Sequence, residues 1–181
     1  MPIDVGNRWV YRKNADGSIS EFTCEVLSAA GVRENFEAYN IEHRENGESY
    51  REFYGGCNGN RSYLCQKDSS SWLYHIGDDM TLNSKTDTGC MVRWEEMEYT
   101  EDATVTTIAG TFENCKVLYH YHYSGVPLVA ETLEWWWECY AYDVGLVYAE
   151  YARLERVWVF IIPIETWYGT TYDLQEYEIH H

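Results

Sequence analysis

The sequence predicts an all-β protein: one antiparallel sheet of about 10–12 strands that curls into a half-barrel or a barrel. A two-layer β-sandwich is the alternative architecture. Three observations predict this class: apolar and polar residues alternate with a period of two, turn signals recur at roughly 8–12-residue spacing, and helical spacing of apolar residues is scarce. Because a sheet with many strands exposes reactive edges, it must close or curl.

Turn residues divide the chain into strands. Asp16–Gly17 and Asn46–Gly47 supply the positive φ that tight hairpins need, so each predicts a hairpin. In the strand that follows the first turn, Phe22, Cys24 and Val26 share one face. Strands are predicted at 7–13, 19–27, 36–44, 49–54, 62–67, 71–76, 90–98, 104–109, 115–124, 132–142, 146–154, 156–162 and 171–178.

The segment 132–142 alternates most clearly. One face carries apolar residues: Leu133, Trp135, Trp137, Cys139 and Ala141. The opposite face carries Thr132, Glu134, Trp136, Glu138 and Tyr140. Because large aromatic side chains bury large areas, we expect Trp135 and Trp137 in the core and the acidic face in solvent; in a curled half-barrel the acidic face would line a cavity instead.

Length and charge exclude several classes of protein. The 181 residues fit one domain over 1–179, and His180–His181 resemble the end of a purification tag and are set aside. With 13 Lys+Arg against 30 Asp+Glu, the formal net charge is −17, which argues against nucleic acid and against anionic membrane as partners. No apolar stretch approaches the roughly 20 residues of a membrane-spanning helix.

The six cysteines form no Cys-x-x-Cys pair, which argues against a zinc ribbon or a thioredoxin-type centre. Cys57 and Cys65 flank a polar segment and are the best candidates for a disulfide. The alternative is six free thiols that act as small apolar residues. Cys24 and Cys139 favour that alternative because each lies on the apolar face of its strand.

Three motifs follow one another in the order of a known pattern. They are Gly6-Asn7-Arg8-Trp9-Val10-Tyr11, Gly110-Thr111-Phe112-Glu113-Asn114-Cys115 and Trp137-Glu138-Cys139-Tyr140-Ala141-Tyr142-Asp143-Val144-Gly145-Leu146-Val147. The chain thereby resembles a group of uncharacterised bacterial proteins, many of them lipoproteins or otherwise exported. The resemblance implies an all-β, extracytoplasmic domain whose leader lies outside this sequence, with a cytoplasmic location as the alternative. It implies no activity and no catalytic residues.

His120 and His122 form a His-x-His pair within a predicted strand. Alternate strand residues point to the same face, so the two imidazoles could share a metal ion, with Glu113 and Glu131 as additional oxygen ligands. The alternative is a pair of surface histidines that alternates with core-facing tyrosines.

Trp136 lies on the acidic face between Glu134 and Glu138. A tryptophan flanked by carboxylates can stack on a sugar or attract a cation, and Tyr140 follows on the same face. These four residues are the predicted ligand-binding set. The alternative is a surface tryptophan that a neighbouring loop covers.

No nucleophile motif and no phosphate-binding loop is present, and no cofactor is predicted. The sequence therefore predicts a non-enzymatic domain that binds a small apolar or aromatic ligand or a protein partner. One alternative is an assembly subunit that pairs through the β-prone segment 157–162. A lower alternative is a metal-dependent enzyme that uses His120 and His122. The oligomeric state stays open.

Overall fold

The computed structural model describes the backbone of residues 4–33, 36–58, 61–66, 73–76, 82–87 and 92–180. It describes the side chains of residues 4–32, 37–49 and 103–180. Its strands are β1 (Arg8–Ala15), β2 (Ser18–Arg33), β3 (Phe36–Glu45), β4 (Glu48–Asn58), β5 (Arg61–Gln66), β6 (Leu73–Ile76), β7 (Leu82–Asp87), β8 (Val92–Thr107), β9 (Gly110–Val126), β10 (Ala130–Ala141), β11 (Gly145–Val159) and β12 (Ile162–Glu178).

The twelve strands form one antiparallel sheet in which consecutive strands pair, except that β6 and β7 do not pair with each other. The first and last strands also pair, so the order is β6-β5-β4-β3-β2-β1-β12-β11-β10-β9-β8-β7. The predicted all-β class is confirmed. Within the described residues β6 and β7 are the two edges, so the sheet does not close into a barrel. No helix in the described part of the chain is long and apolar enough to cross a membrane.

The sheet curls, as predicted, because the turn between β8 and β9 folds back across three strands onto β12. The backbone N–H of Ala109 donates to the carbonyl of Leu174 at 3.0 Å. The neighbouring N–H of Ile108 donates to Asp173 Oδ1 at 3.3 Å. These two bonds fix the curl, because β8 and β12 are not neighbours in the sheet.

The two predicted polar hairpin turns are confirmed. Asp16 and Gly17 have φ values of 50° and 87°, and Asn46 and Gly47 have 50° and 84°. These are conformations that Asp, Asn and Gly adopt at low cost. The Asn46 side chain also accepts a hydrogen bond from the Glu21 backbone N–H at 3.1 Å, which ties the second turn to β2.

A buried core lies where β1 crosses the middle of the curled sheet. Trp9 and Tyr11 of β1 reach the turn between β10 and β11: Trp9 Nε1 donates to the Val144 carbonyl at 2.5 Å, and the Tyr11 hydroxyl donates to the Leu146 carbonyl at 2.9 Å. The core consists of Trp9, Tyr11, Val26, Ile41, Cys115, Val117, Cys139, Ala141, Val147 and Leu174.

Three cysteines with described side chains are free thiols. Cys115 and Cys139 are buried, and Cys24 packs against the core. This agrees with the apolar role expected for Cys24 and Cys139. The side chains of Cys57 and Cys65 lie outside the part that the structure describes, so their disulfide stays a prediction.

Six strands, β7 to β12, extend beyond the end of β1, and the side chains of this part are described in four of them, β9 to β12. The last residue of β1, Ala15, pairs with Thr170 of β12. At the same level across the sheet, Thr170 pairs with Tyr151, Tyr151 with Trp136, and Trp136 with His120. We call residues 121–135 and 152–169, which lie beyond this level, the arm. We call the part of the sheet that contains β1 and the core the base. All residues of the arm are described, and Leu154 is the only one that is buried.

Several predicted strand boundaries are wrong, and two of the predicted segments run into turns. The segment 156–162 was expected to be one strand, but it contains the end of β11, a turn at Phe160–Ile161 and the start of β12. This turn has no Gly, Asn, Asp or Pro, so no composition signal marks it. The segment 104–109 likewise ends β8 and enters a turn, and β7 (Leu82–Asp87) was not predicted.

Candidate ligand-binding site

A cleft of about 650 Å³ lies on β10, β11 and β12, at the boundary between the base and the arm. Residues directly opposite each other in neighbouring strands point to the same face of a sheet, so the register shows which side chains meet there. Seven lining residues share that face: Glu134, Trp136, Glu138, Tyr151, Arg153, Tyr168 and Thr170. Trp135, Ala152 and Gly169 complete the lining.

The acidic face of β10 is buried as deeply as the apolar face, and one pair of neighbouring residues reverses the prediction. Glu138 is 4% exposed and Tyr140 is 7% exposed, whereas Trp137, expected in the core, is 49% exposed. The same reversal occurs on β9, where His120 is buried and Tyr119 is exposed. The alternation was read correctly, but the curled sheet buries residues of both faces at this end of β10.

Glu138 is a buried carboxylate held by two phenols. The hydroxyl of Tyr140 donates to Oε2 at 2.9 Å, and the hydroxyl of Tyr151 donates to Oε1 at 2.5 Å. Burial, with a further contribution from the Glu138 charge, raises the pKa of Tyr140 and of Tyr151 well above the usual value. Both donors are neutral, so they satisfy the carboxylate oxygens without cancelling their charge.

Glu134 lies two residues away on the same face and connects two basic side chains. Its Oε2 is 3.1 Å from His122 Nδ1, and its Oε1 is 3.8 Å from Arg153 Nε. Arg153 also pairs with Glu155 at 2.5 Å. The other ring nitrogen of His122, Nε2, is buried and has no hydrogen-bond partner. Glu134 therefore links His122 to Arg153, and Glu134 and Arg153 line the cleft.

Trp136 is held between two other rings. The imidazole of His120 lies edge-on against it, with ring centroids 4.1 Å apart and an interplanar angle of 70°. Tyr151 lies on the other side at 6.5 Å and 41°. These contacts restrict the orientation of the indole before any ligand arrives.

His120 and His122 lie on one face, as the His-x-His pattern indicates, but each contacts a different partner: Trp136 and Glu134 respectively. Of the additional ligands proposed, Glu113 is exposed, and Glu131 binds Arg156 at 3.1 Å. Among the residues that the structure describes, no three His, Cys, Asp or Glu side chains are grouped so that they could hold a metal ion. The metal site stays a prediction.

The structure brings three of the four predicted ligand-binding residues together in the cleft. Glu134, Trp136 and Glu138 line it, while Tyr140 lies beside it as a partner of Glu138. Sequence reasoning did not find Tyr151, Arg153, Tyr168 and Thr170. The sequence carries no local sign of them. Only the register between β10 and β11, and between β11 and β12, places them at the cleft.

Comparison with protein-family models, with curated proteins and with solved structures finds no match.

Proposed function

We propose that this chain is a non-enzymatic binding domain whose cleft takes a small aromatic ligand with a positively charged group. The observation that supports this proposal is the lining of the cleft, in which Trp136, Tyr151 and Tyr168 lie beside Glu134 and Glu138. A volume of about 650 Å³ lies within the range of small-molecule sites, roughly 300–1,000 Å³.

The aromatic part of the ligand is argued from Trp136. An indole stacks well on flat rings and attracts cations to its face. Because His120 and Tyr151 already restrict its orientation, binding costs less conformational entropy than binding to a mobile surface tryptophan would.

The positive charge of the ligand is argued from the balance of charges. Two carboxylates, Glu134 and Glu138, line the cleft against one guanidinium, Arg153, and Arg153 also pairs with Glu155. An ammonium group near Glu138 would compensate a buried charge that neutral phenols leave in place. The net charge of −17 also favours the approach of a cation.

Three ligands that share one ring test the proposal by titration calorimetry: tryptamine, which is cationic, indole, which is neutral, and indole-3-acetate, which is anionic. We expect tryptamine to bind most tightly and indole-3-acetate least. Trp136→Ala is expected to weaken tryptamine binding at least tenfold. Trp137→Ala is the matched control, because it removes a neighbouring indole of the same strand from the opposite face.

Two results would contradict the proposal: no heat with any of the three compounds, or equal loss of binding in both tryptophan variants. Tighter binding of indole-3-acetate than of tryptamine would contradict the charge assignment. The extracytoplasmic setting implied by the resemblance to exported bacterial proteins stays a prediction.

A further inference from the structure

The far end of the arm carries no charge. Residues 126–130 and 157–164, which form the turns β9–β10 and β11–β12 with their flanks, contain no Asp, Glu, Lys or Arg in a chain that is 24% charged. Their apolar side chains point into solvent; Phe160 is 95% exposed and Ile161 is 87% exposed. We call this surface the apolar tip; its members are Leu128, Val129, Phe160, Ile161 and Ile162.

The two turns form one surface. The backbone N–H of Trp158 donates to the carbonyl of Val129 at 2.9 Å, which joins the hairpins side by side. Beneath the tip, Arg156 pairs with Glu131 at 3.1 Å and with Glu165 at 2.8 Å. The Trp158 indole N–H donates to Glu131 at 3.3 Å. The uncharged tip is therefore bordered by a layer of charged side chains, Glu131, Arg156 and Glu165, that pair with one another.

The backbone of the tip indicates that its apolar side chains serve something outside the fold. Leu128 and Phe160 have φ values of 62° and 59°, in the left-handed region that bulky residues avoid. Three other described turns place Asp16, Asn46 and Asp143 in this conformation, as is usual. Leu128 and Phe160 are exposed, so contacts within the chain do not offset the strain.

We propose that the apolar tip docks into the surface of an uncharged or zwitterionic lipid layer. Arg156 and Glu165 lie three to four residues from the Phe160–Ile161 turn, so the charge-free part is about 10 Å tall at a rise of ~3.3 Å per residue. That height matches the depth, about 5–10 Å, to which apolar protein surfaces enter a lipid interface. The paired charges and the Trp158 indole would then lie at the headgroups.

The area of the tip favours lipid over a second copy of the chain. Four strands at ~4.8 Å spacing and a sheet about 10 Å thick give a cross-section of roughly 200 Å². A stable protein–protein interface buries about 800 Å² on each partner, which a tip-to-tip contact of this size does not provide. A fluid lipid layer would also cover the sides of the tip to a depth of ~10 Å, about 800 Å² in all.

The net charge of the chain also favours an uncharged lipid surface over a second copy of the chain. Each chain carries a formal charge of −17, which opposes both self-association and approach to anionic lipid. Within β11 the backbone is closed to a second copy, because Val157 already pairs with Ala130 on one side and with Ile164 on the other.

Flotation with phosphatidylcholine vesicles tests the proposal on the full chain. We expect the chain to float with these vesicles, and a tenfold or larger fall in the partition coefficient for the double variant Leu128→Asn with Phe160→Asn. Asparagine tolerates the left-handed conformation, so this variant is expected to fold. Tyr142→Asn is the matched control: Tyr142 is 85% exposed in the β10–β11 turn at the opposite end, and its replacement is expected to leave flotation unchanged.

Two arms separate the alternatives. Vesicles with added phosphatidylserine are expected to bind less at low salt, and stronger binding there would overturn the assignment of an uncharged surface. Light scattering that shows a dimer, lost in the double variant, would assign the tip to a second copy instead and overturn the proposal. Absence of flotation, or equal flotation of the double variant, would also overturn it. Tryptamine binding by the double variant is expected to be unchanged, which keeps this test separate from that of the cleft.

Discussion

The two halves of β12 differ although they belong to one continuous strand. Residues 162–169, in the arm, are all exposed, whereas residues 170–175, beside β1, are half-buried or buried. Both halves pair with β11 through the same antiparallel ladder. The difference teaches that hydrogen-bonded pairing alone extends a sheet, while burial requires something that covers its face.

In the base, the curl of the sheet covers its inner face. The β8–β9 turn folds onto β12, and β1 brings Trp9 and Tyr11 against the β10–β11 turn. The arm has no such cover among the residues that the structure describes, and apart from Leu154 its apolar residues are half-buried or exposed. The cleft lies at the boundary, where covered carboxylates and aromatic rings still have access to solvent.

The largest expected effect is a loss of stability from a substitution in the base, compared with a matched substitution in the arm. Trp9→Ala removes a fully buried side chain and its hydrogen bond to Val144, so we expect a loss of about 3–5 kcal/mol in the free energy of unfolding. Trp167→Ala, in the arm, is expected to cost about 1 kcal/mol or less because its side chain is mostly exposed. Urea unfolding of both variants checks the contrast, and equal losses would show that the arm contributes to the core.

Alkaline pH is expected to act on the base through its buried tyrosines. Burial, the largest cause, raises the pKa of Tyr11, Tyr140 and Tyr151 well above 10. Above pH 10 the unfolded chain ionises these phenols while the folded chain keeps them protonated, so stability is complete below pH 10 and falls as pH rises. Together they would cost about 2–3 kcal/mol by pH 10.5.

Thermal unfolding between pH 8 and pH 10.5 measures this loss, and tyrosinate absorbance follows the ionisation. Tyr151→Phe is the matched variant, because it removes one ionising group and is expected to flatten the alkaline slope. A slope that Tyr151→Phe leaves unchanged would contradict the assignment of this phenol.

Turn substitutions sharpen the contrast between polar and apolar hairpins. Gly17→Ala forces a side chain into a φ of 87° and is expected to cost about 1 kcal/mol, although nothing lies within 4 Å of the new methyl group. Phe160→Gly relieves the unfavourable φ of 59° and is expected to stabilise the chain by roughly 0.5 kcal/mol. Chemical denaturation compares the two; a destabilised Phe160→Gly would show that the phenyl ring serves the fold itself.

The smallest expected effect concerns an ion pair at the side of the base. Lys13 Nζ lies 2.8 Å from Glu45 Oε2, and hydrogen bonds from Lys13 and Ser20 lower the pKa of Glu45. This stabilisation is present above the usual glutamate pKa and is lost as pH falls through the lowered value. Lys13→Met is expected to cost about 0.5 kcal/mol at neutral pH and nothing at pH 2. Unfolding at both pH values checks this, and an equal cost at pH 2 would point to packing of the lysine stem.

Much of the fold was predictable from local signals. Asp16–Gly17 and Asn46–Gly47 define hairpins because few other residues adopt their backbone conformation. The Phe160–Ile161 turn escaped prediction because the sequence places apolar residues where turn residues are usual. Of the cleft, the β10 contribution was predictable from its alternation, whereas Tyr151 and Tyr168 required the register of two further strands.

The sequence alone determined which residues share a face, because alternation along a strand follows from its pleat. It placed Glu134, Trp136 and Glu138 together and His120 with His122, and the structure retains both groups. Only the tertiary structure decided which face is covered, because the curl depends on contacts such as Ala109 with Leu174, which are distant in sequence. A period-two pattern is the same whichever side is buried, so the burial of Glu138 and the exposure of Trp137 could not be predicted from it.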